Sequence, residues 1–264
     1  MKARLLHVSD LHVRRLEPLD ALDPLRELTA RVDPTLVVAT GDLAHRGRLV
    51  EVERAAEFLR SLERPLLAVP GNHDIPYTAA RFIRPFAAWR QVFGDVEPVH
   101  RGDGLLVLGL NSVRPRRHQN GALSAAQLAR AAAELRAADD VFKVVAFHHH
   151  VASSPWRAPN KAPVERRDVV LHAFADAGVD LVLGGHVHHA AIAARPEFEV
   201  YDAGSAKSVV LAVAPGLGRP RPRRSGEAQG VNVYDVEPET LTVTTLAWNG
   251  ADFEEVARRV FPRT

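Results

Sequence analysis

Histidine and aspartate residues occur in this chain at spacings typical of metal ligands. Asp10 and His12 form an Asp-x-His pair, His186 and His188 form a His-x-His pair, and Asp42 directly follows a glycine. Carboxylate oxygens and imidazole nitrogens suit divalent ions such as Mn, Fe or Zn. The chain has no cysteine that could add a thiolate. These motifs therefore predict a metal centre built only from oxygen and nitrogen ligands.

Two further stretches add polar groups of the same kind. The segment VPGNHDIP (69–76) places Asn72, His73 and Asp74 side by side between two prolines. A histidine triplet occupies 148–150. Alternation along a strand sends neighbouring side chains to opposite faces, so all three histidines of the triplet are not expected to reach one cluster.

Each of these motifs follows a short apolar run. Continuous apolar runs are typical of strands that are covered on both faces. The predicted strands lie within 4–10, 35–42, 65–72, 104–111, 142–149 and 179–186. The carboxyl ends of strands in open α/β sheets border a common crevice. Five of the six strand ends would therefore deliver polar side chains to one place. We also expect Asp-x-His and His-x-His to be extended, with the glycines before Asp42, Asn72 and His186 allowing sharp turns.

Helical patterns separate the strands, and the C-terminal part changes character. Apolar stripes with helical spacing include Leu25, Leu28 and Val32 after Asp23-Pro24; Leu49, Val52, Ala56 and Leu59; and Val170, Phe174 and Ala177 before Gly178. Ser124 and Gln127 have the spacing of a capping box. Residues 198–206, 230–238 and 240–249 predict an antiparallel meander. The order predicts a single domain over residues 1–264.

Composition limits the function classes. The chain has 264 residues, 46% of them hydrophobic and 25% charged, with a net charge of +2. Near-neutral charge argues against a nucleic-acid partner, and no apolar run reaches the ~18–20 residues of a membrane span. We therefore expect a cytoplasmic protein with no membrane partner, whose oligomeric state the sequence leaves open. The arginine- and proline-rich stretch 218–226 predicts a surface loop.

The ordered set of motifs resembles the calcineurin-like metallophosphoesterase superfamily, in particular its bacterial class III cyclic-nucleotide phosphodiesterase-like branch. The motifs are Asp10-x-His12, Gly41-Asp42, Gly71-Asn72-His73-Asp74, His148 and Gly185-His186-x-His188. The resemblance implies an α/β fold, a four-layer αββα sandwich of two mixed β-sheets flanked by helices. It also implies a cofactor of two divalent metal ions.

The resemblance further implies a role for each motif residue. Asp10, His12 and His188 would hold one ion, Asn72, His148 and His186 the other, and Asp42 would bridge them. His73 would contact phosphate or protonate the leaving oxygen, with Asp74 orienting it. His45 and Arg46, just after the bridging aspartate, are candidates for substrate contact or for an exposed loop. His149 and His150 are left between packing and lining the pocket. Isolated histidines, at positions 7, 100, 118 and 172, are interpreted as structural.

The function implied is hydrolysis of phosphodiester bonds, with small or cyclic nucleotide diesters as candidate substrates, by attack of a metal-bridging hydroxide. Arg46 is the only arginine next to a motif, so we expect few fixed cations for a monoester dianion. Tyr201 and Trp156 are candidates for an apolar wall beside a diester's second substituent. A broad phosphomonoesterase, a metal-dependent nuclease and a non-catalytic interaction module on the same fold remain as alternatives.

Overall fold

The computed structural model describes residues 2–16, 22–117, 119–151, 161–197, 208–218 and 229–263. Its helices are α1 (Leu22–Val32), α2 (Leu49–Arg60), α3 (Ala80–Ile83), α4 (Ala87–Phe93), α5 (Ala125–Arg136) and α6 (Arg167–Asp176). Its strands are β1 (Ala3–Val8), β2 (Leu36–Ala39), β3 (Leu66–Ala68), β4 (Val99–Gly102), β5 (Leu105–Gly109), β6 (Phe142–Ala146), β7 (Leu181–Gly184), β8 (Ala191–Ala194), β9 (Val210–Val213), β10 (Gly230–Val236), β11 (Thr240–Trp248) and β12 (Phe253–Pro262).

The strands form two mixed sheets. The first has the order β12-β11-β10-β1-β2-β3 and the second the order β4-β5-β6-β7-β9-β8. In the first sheet, β1 is parallel to β2 and antiparallel to β10. The N-terminal strand thus pairs directly with a strand from the C-terminal part of the chain.

The apolar residues divide into three layers of core. Val38 of the first sheet and Val144 of the second belong to the cluster between the sheets. Leu59 of α2 packs in a cluster on the outer face of the first sheet, and Leu128 of α5 packs in one on the outer face of the second. Because each sheet is covered on both faces, its strands need the continuous apolar runs seen in the sequence. The predicted four-layer αββα sandwich of two mixed sheets is confirmed.

The predicted elements agree with the structure in most places. All six apolar runs contain strands, and the Ser124–Gln127 capping box is present at the start of α5. Leu49 is 38% exposed rather than part of a buried stripe, because it is the first residue of α2 at the surface. The sequence analysis missed β4, β8 and β12, which are edge strands with exposed or half-buried residues, and it also missed β9, a buried strand between β7 and β8. The predicted strand at 198–206 lies outside the described residues, as does most of the 218–226 loop.

Within the described ranges, the helices are all too short or too polar to cross a membrane.

Candidate metal centre

The candidate ligands follow the carboxyl ends of five strands drawn from both sheets. Asp10 and His12 follow β1, Asp42 follows β2, Asn72 follows β3, His148 follows β6, and His186 and His188 follow β7. Backbone hydrogen bonds join neighbouring loops: the Asp10 N–H donates to the Gly41 carbonyl at 2.9 Å, and the Gly185 N–H donates to the His148 carbonyl at 2.8 Å. The structure therefore brings the predicted ligands together where the two sheets meet.

The backbone at these loops is left-handed, not extended. Positive φ angles occur at Asp10 (54°), His12 (49°), Asp42 (52°), His186 (73°) and His188 (58°). Such angles are uncommon for residues with a side chain, and they cluster at functional sites when the surrounding structure enforces them. The expectation of extended Asp-x-His and His-x-His turns was therefore wrong. A left-handed residue at both ends of each motif turns the chain sharply instead.

Two glycines permit close approach between the loops. A Cβ on Gly71 would lie 2.2 Å from the backbone nitrogen of Asp42, and a Cβ on Gly185 would lie 1.9 Å from Oγ of Ser9. Those distances are far inside van der Waals contact, so a side chain at either position would force the loops apart. The predicted need for glycine at these two turns is confirmed, and its cause is crowding between loops.

Asp10, His12 and His188 form a compact set that we call the first ligand group. Nε2 of His188 lies 3.2 Å from Oδ1 of Asp10 and 3.1 Å from Nε2 of His12. Oδ1 of Asp10 is buried and has no hydrogen-bond partner within the described part of the chain. Three ligand atoms converge on one small volume, as a bound cation requires.

Asn72, His148 and His186 form the second ligand group. Nε2 of His148 lies 3.2 Å from Oδ1 of Asn72 and 3.1 Å from Nδ1 of His186. All three side chains are buried. The Nδ1 atom of His148 is 2.7 Å from the Thr40 carbonyl oxygen, a contact that orients the ring so that Nε2 points into the group.

Asp42 lies between the two groups. Its Oδ2 atom is 3.8 Å from Nε2 of His12 and 3.3 Å from Nε2 of His148. Its Oδ1 atom accepts the backbone N–H of His73 at 2.7 Å. Oδ2 is a second buried carboxylate oxygen that lacks a hydrogen-bond partner within the described ranges. A buried anion without compensation is costly, so the donor set fits divalent cations at this position.

The charges of the cluster act on one another. Burial alone would raise the pKa of Asp42, but the imidazoles of His148 and His73 outweigh it and hold that pKa well below its usual range. Burial lowers the pKa of His148, yet the Asp42 and Asp10 carboxylates reverse this and raise it to about 9. Burial keeps the pKa values of His12 and His186 well below 6.5. Burial would likewise raise the pKa of Asp10, but the His188 imidazole holds it below its usual range. Asp10 and Asp42 are thus ionised and attract positive charge to the centre.

The predicted catalytic pair, His73 and Asp74, is adjacent to the groups but not coupled as expected. Nδ1 of His73 lies 2.8 Å from the His45 carbonyl oxygen and 2.9 Å from the Tyr77 hydroxyl. Asp74 instead accepts backbone N–H groups, from Ala44 at 2.7 Å and from Gly71 at 2.8 Å. Burial and the nearby Asp42 charge raise the pKa of Asp74 to about 7. Asp74 therefore ties the loops of β2 and β3 together, and the orienting contacts of His73 come from elsewhere.

Sequence reasoning did not place the two residues that crowd the second ligand group. The ring of His149 lies 4.7 Å from that of His186, and one nitrogen of each of His148, His149 and His186 falls within a span of 4.8 Å. Nδ1 of His149 lies 2.8 Å from Oγ of Ser112. Nζ of Lys161 lies 3.5 Å from Nδ1 of His186. The adjacency of three histidines in sequence was the available signal for His149, whereas nothing local marks Lys161.

The cations near the centre are more numerous than expected. Arg14, Arg15 and Arg48 line the same cavity as Arg46, beside His45. The expectation that Arg46 is the only arginine close to a motif was therefore wrong, because Arg14 and Arg15 closely follow His12 in the sequence and the loops after β1 and β2 run side by side. His45 contributes to a third imidazole group with His12 and His73.

The remaining predicted positions divide into two sets. His7 is fully buried between Tyr234 and Thr40, at 2.9 and 2.8 Å from their oxygens, in keeping with a structural role. Tyr201, Trp156 and His118 lie outside the described residues.

Known proteins similar to this chain share either part of its sequence or its fold. A glycerophosphodiester phosphodiesterase of Enterobacter lignolyticus is 33% identical over 31% of the chain, which covers 33% of that protein. A probable cyclic nucleotide phosphodiesterase of Synechococcus is 29% identical over 61% of each chain. The matched segments thus span less than two thirds of either relative.

The structure of a purple acid phosphatase from yellow lupin (Lupinus luteus) superposes with a TM-score of 0.71. The superposition covers all of this chain and 54% of that chain at 12% identity, so the likeness is one of fold. The family model described as calcineurin-like phosphoesterase matches residues 3–190, which contain both ligand groups and Asp42. The chain belongs to the calcineurin-like phosphoesterase family.

Proposed function

We propose that the chain is a metal-dependent hydrolase of phosphodiester bonds that uses two divalent ions. The observation that carries this proposal is the position of Asp42, whose Oδ2 atom lies 3.8 Å from a nitrogen of the first ligand group and 3.3 Å from one of the second. One carboxylate within reach of two ligand groups is the arrangement that a two-ion phosphoesterase centre needs.

The proposed roles follow from these positions. The first ligand group would hold one ion, the second ligand group the other, and Asp42 would bridge them. The ligand set accepts Mn, Fe or Zn. When bound, such ions lower the pKa of a coordinated water and neutralise charge on the phosphoryl oxygens.

His73 is proposed as the proton donor to the leaving oxygen. If its Nδ1–H donates to the His45 carbonyl 2.8 Å away, Nε2 is the atom left to deliver a second proton. The backbone N–H of His73 donates to Oδ1 of Asp42 at 2.7 Å. The carboxylate that is proposed to bridge the two ions therefore also positions His73.

Asn72 is proposed to contact both the centre and the substrate. Its Oδ1 faces His148, whereas its Nδ2 is a buried donor without an acceptor within the described ranges. A fixed donor of this kind can stabilise charge on a phosphoryl oxygen. His45 and Arg46 are proposed to line the substrate path, and Asp74 to preserve the loop that carries His73.

The choice of a phosphodiester over a monoester rests on the names of two of the curated relatives, a glycerophosphodiester phosphodiesterase and a probable cyclic nucleotide phosphodiesterase. Small or cyclic nucleotide diesters are the candidate substrates. The cations found beside the centre allow a monoester as well, so the two must be compared directly.

A turnover panel with metal analysis on the same batch tests the proposal. We expect hydrolysis of a nitrophenyl phosphodiester that is lost with chelator and restored by Mn, and a lower rate on the matching monoester. Asp139→Asn, at an exposed position, is the control substitution. Turnover that is indifferent to metal removal would contradict the metal-dependent mechanism. A monoester preference of about tenfold or more in kcat/KM would replace the diester assignment with a general phosphatase.

A further inference from the structure

A cavity of about 450 Å³ opens beside the metal centre, and arginines form much of its lining. Arg14 and Arg15 lie in the loop after β1, and Arg46 and Arg48 lie in the loop after β2. Its volume falls in the ~300–1,000 Å³ range of small-molecule sites. Four arginines from two separate segments therefore line one space.

Backbone pairing between the two loops fixes this arrangement. The Val13 N–H donates to the Leu43 carbonyl at 2.8 Å, and the His45 N–H donates to the Val13 carbonyl at 3.0 Å. These bonds form a short parallel bridge that sets the loops side by side. The backbone pairing therefore keeps Arg14 and Arg15 close to Arg46 and Arg48.

His45 connects the cavity to the centre. It lines the cavity, and its ring lies 6.1 Å from that of His73 and 6.3 Å from that of His12. A substrate whose scissile phosphate lies at the ligand groups would therefore extend past His45 into the arginine cavity.

The lining carries a net positive charge. Its acidic residue, Glu51, is 2% exposed, and its Oε2 accepts the backbone N–H groups of Arg46 at 2.8 Å and Arg48 at 3.3 Å. Across the described ranges, no ion pair joins the side chains of Arg15, Arg46 or Arg48 to a carboxylate. Guanidinium groups bind phosphate oxygens with paired, charge-assisted hydrogen bonds.

We propose that this cavity is a subsite for a second phosphate group of the substrate, away from the bond that is cleaved. The proposal deepens the proposed function and rests on it for the position of the scissile phosphate. It narrows the substrate class to phosphodiesters that carry a further phosphate, such as nucleotide diesters with a phosphate on the sugar.

A turnover comparison supplies the first arm of the test. The substrates are the p-nitrophenyl ester of thymidine 5′-phosphate and the same diester bearing a 3′-phosphate, each with saturating Mn. For the wild type we expect the 3′-phosphate to lower KM about tenfold with little change in kcat, because a distant group binds ground and transition states alike. The double variant Arg15→Gln/Arg48→Gln should lose this advantage and keep its activity on the plain diester. Arg136→Gln, outside the cavity, is the matched control.

Equilibrium binding supplies the second arm and does not need turnover. Calorimetry on the Mn-loaded protein compares thymidine 3′,5′-bisphosphate with thymidine 5′-phosphate. The bisphosphate should bind about tenfold more tightly to the wild type and to Arg136→Gln, but not to the double variant, whose melting temperature should be unchanged. The advantage should shrink at about 0.5 M salt, because exposed charges are screened.

The two arms separate the two proposals. A wild-type protein that hydrolyses the plain diester but binds both thymidine phosphates equally would overturn the subsite and leave the proposed function standing. A protein that prefers the bisphosphate through Arg15 and Arg48 but hydrolyses no diester would support the subsite and overturn the proposed function.

Discussion

The first and second ligand groups contain similar atoms but lie in different surroundings. In the first, the His12 side chain is 13% exposed, and the half-buried imidazole of His45 and the arginine cavity lie next to it. In the second, the His148 side chain is fully buried, and His149 and Lys161 crowd the group from behind. The first group therefore lies beside the cavity proposed to bind substrate, and the second lies deeper in the protein.

This difference predicts that the two ligand groups bind their ions with different affinities. The second ligand group is buried and its rings are fixed by contacts such as that of His148 Nδ1 with the Thr40 carbonyl. Ligands oriented in this way bind metal more tightly than ligands free to turn. The ion of the first ligand group should exchange more readily, and the residues nearest to it should act on substrate. The predictions below test this division, beginning with the residue that joins both halves.

Replacing the bridging carboxylate should have the largest effect. Asp42→Ala removes the carboxylate that lies between the two groups, so both ions should bind more weakly and activity should be lost. The loss should exceed the ~10–100-fold typical of residues that only support ligands. Metal content by mass spectrometry and turnover on the same batch measure it. Two tightly bound ions per chain in the variant would contradict the assignment of Asp42 as the bridging ligand.

Removing the His73 ring should lower the rate of hydrolysis while leaving metal binding intact. His73→Ala should retain both ions but lose rate, by ~10²–10⁴-fold if the ring acts as a general acid. The loss should be larger for an alkoxide leaving group than for nitrophenolate, which needs no proton. Rates for the two leaving groups, measured with saturating metal, give the ratio. Equal losses would remove the acid role and leave only contact with phosphate.

A change behind the second ligand group should weaken one ion and spare the other. His149 contacts His186 and Ser112, so His149→Ala should loosen the enclosed site, with about a tenfold loss of affinity for one ion per chain. Ser112→Ala should act in the same direction and less strongly. Chelator titration that resolves the two ions measures both variants, with exposed His172→Ala as the control. Loss of the more readily exchanged ion alone would reverse the proposed division between the groups.

The sequence predicted which side chains would cluster, because each candidate ligand follows a buried strand. Asp10, Asp42 and Asn72 come after apolar runs, and parallel strands place their carboxyl ends at one edge. The left-handed backbone at Asp10 and Asp42 could not be predicted in this way, because it is imposed by packing between loops distant in sequence. A local pattern carries no information on which loops will crowd each other.

The same reason explains why the surroundings of the centre were missed. The arginine cavity depends on the pairing of Val13 with Ala44, residues that are far apart in the chain. Strand β12 was missed because its side chains are mostly exposed and lack an apolar alternation. Sequence patterns report burial, so features that depend on exposed residues brought together by the fold leave little trace.

A last expected effect lies outside both groups, at His7, and concerns stability rather than activity. His7 is buried in β1 between the Tyr234 hydroxyl and Oγ1 of Thr40, and burial lowers its pKa from 6.5 to about 3. The folded protein therefore keeps this ring neutral, whereas the unfolded chain protonates it as the pH falls below 6.5. Because only the unfolded state binds the extra proton, the contribution of His7 to the free energy of unfolding is complete above pH 6.5. It is lost as the pH falls toward the folded pKa. Between pH 7 and pH 5 the loss from this one group is about 2 kcal/mol.

His7→Gln removes the titration, so the free energy of unfolding of the variant should fall less steeply over that interval, even if the variant is less stable at pH 7. Denaturant unfolding of both proteins at the two pH values, with saturating metal, gives the difference in slope, and His172→Gln should match the wild type. If the His7→Gln and wild-type curves run parallel, the ring does not titrate as its burial requires.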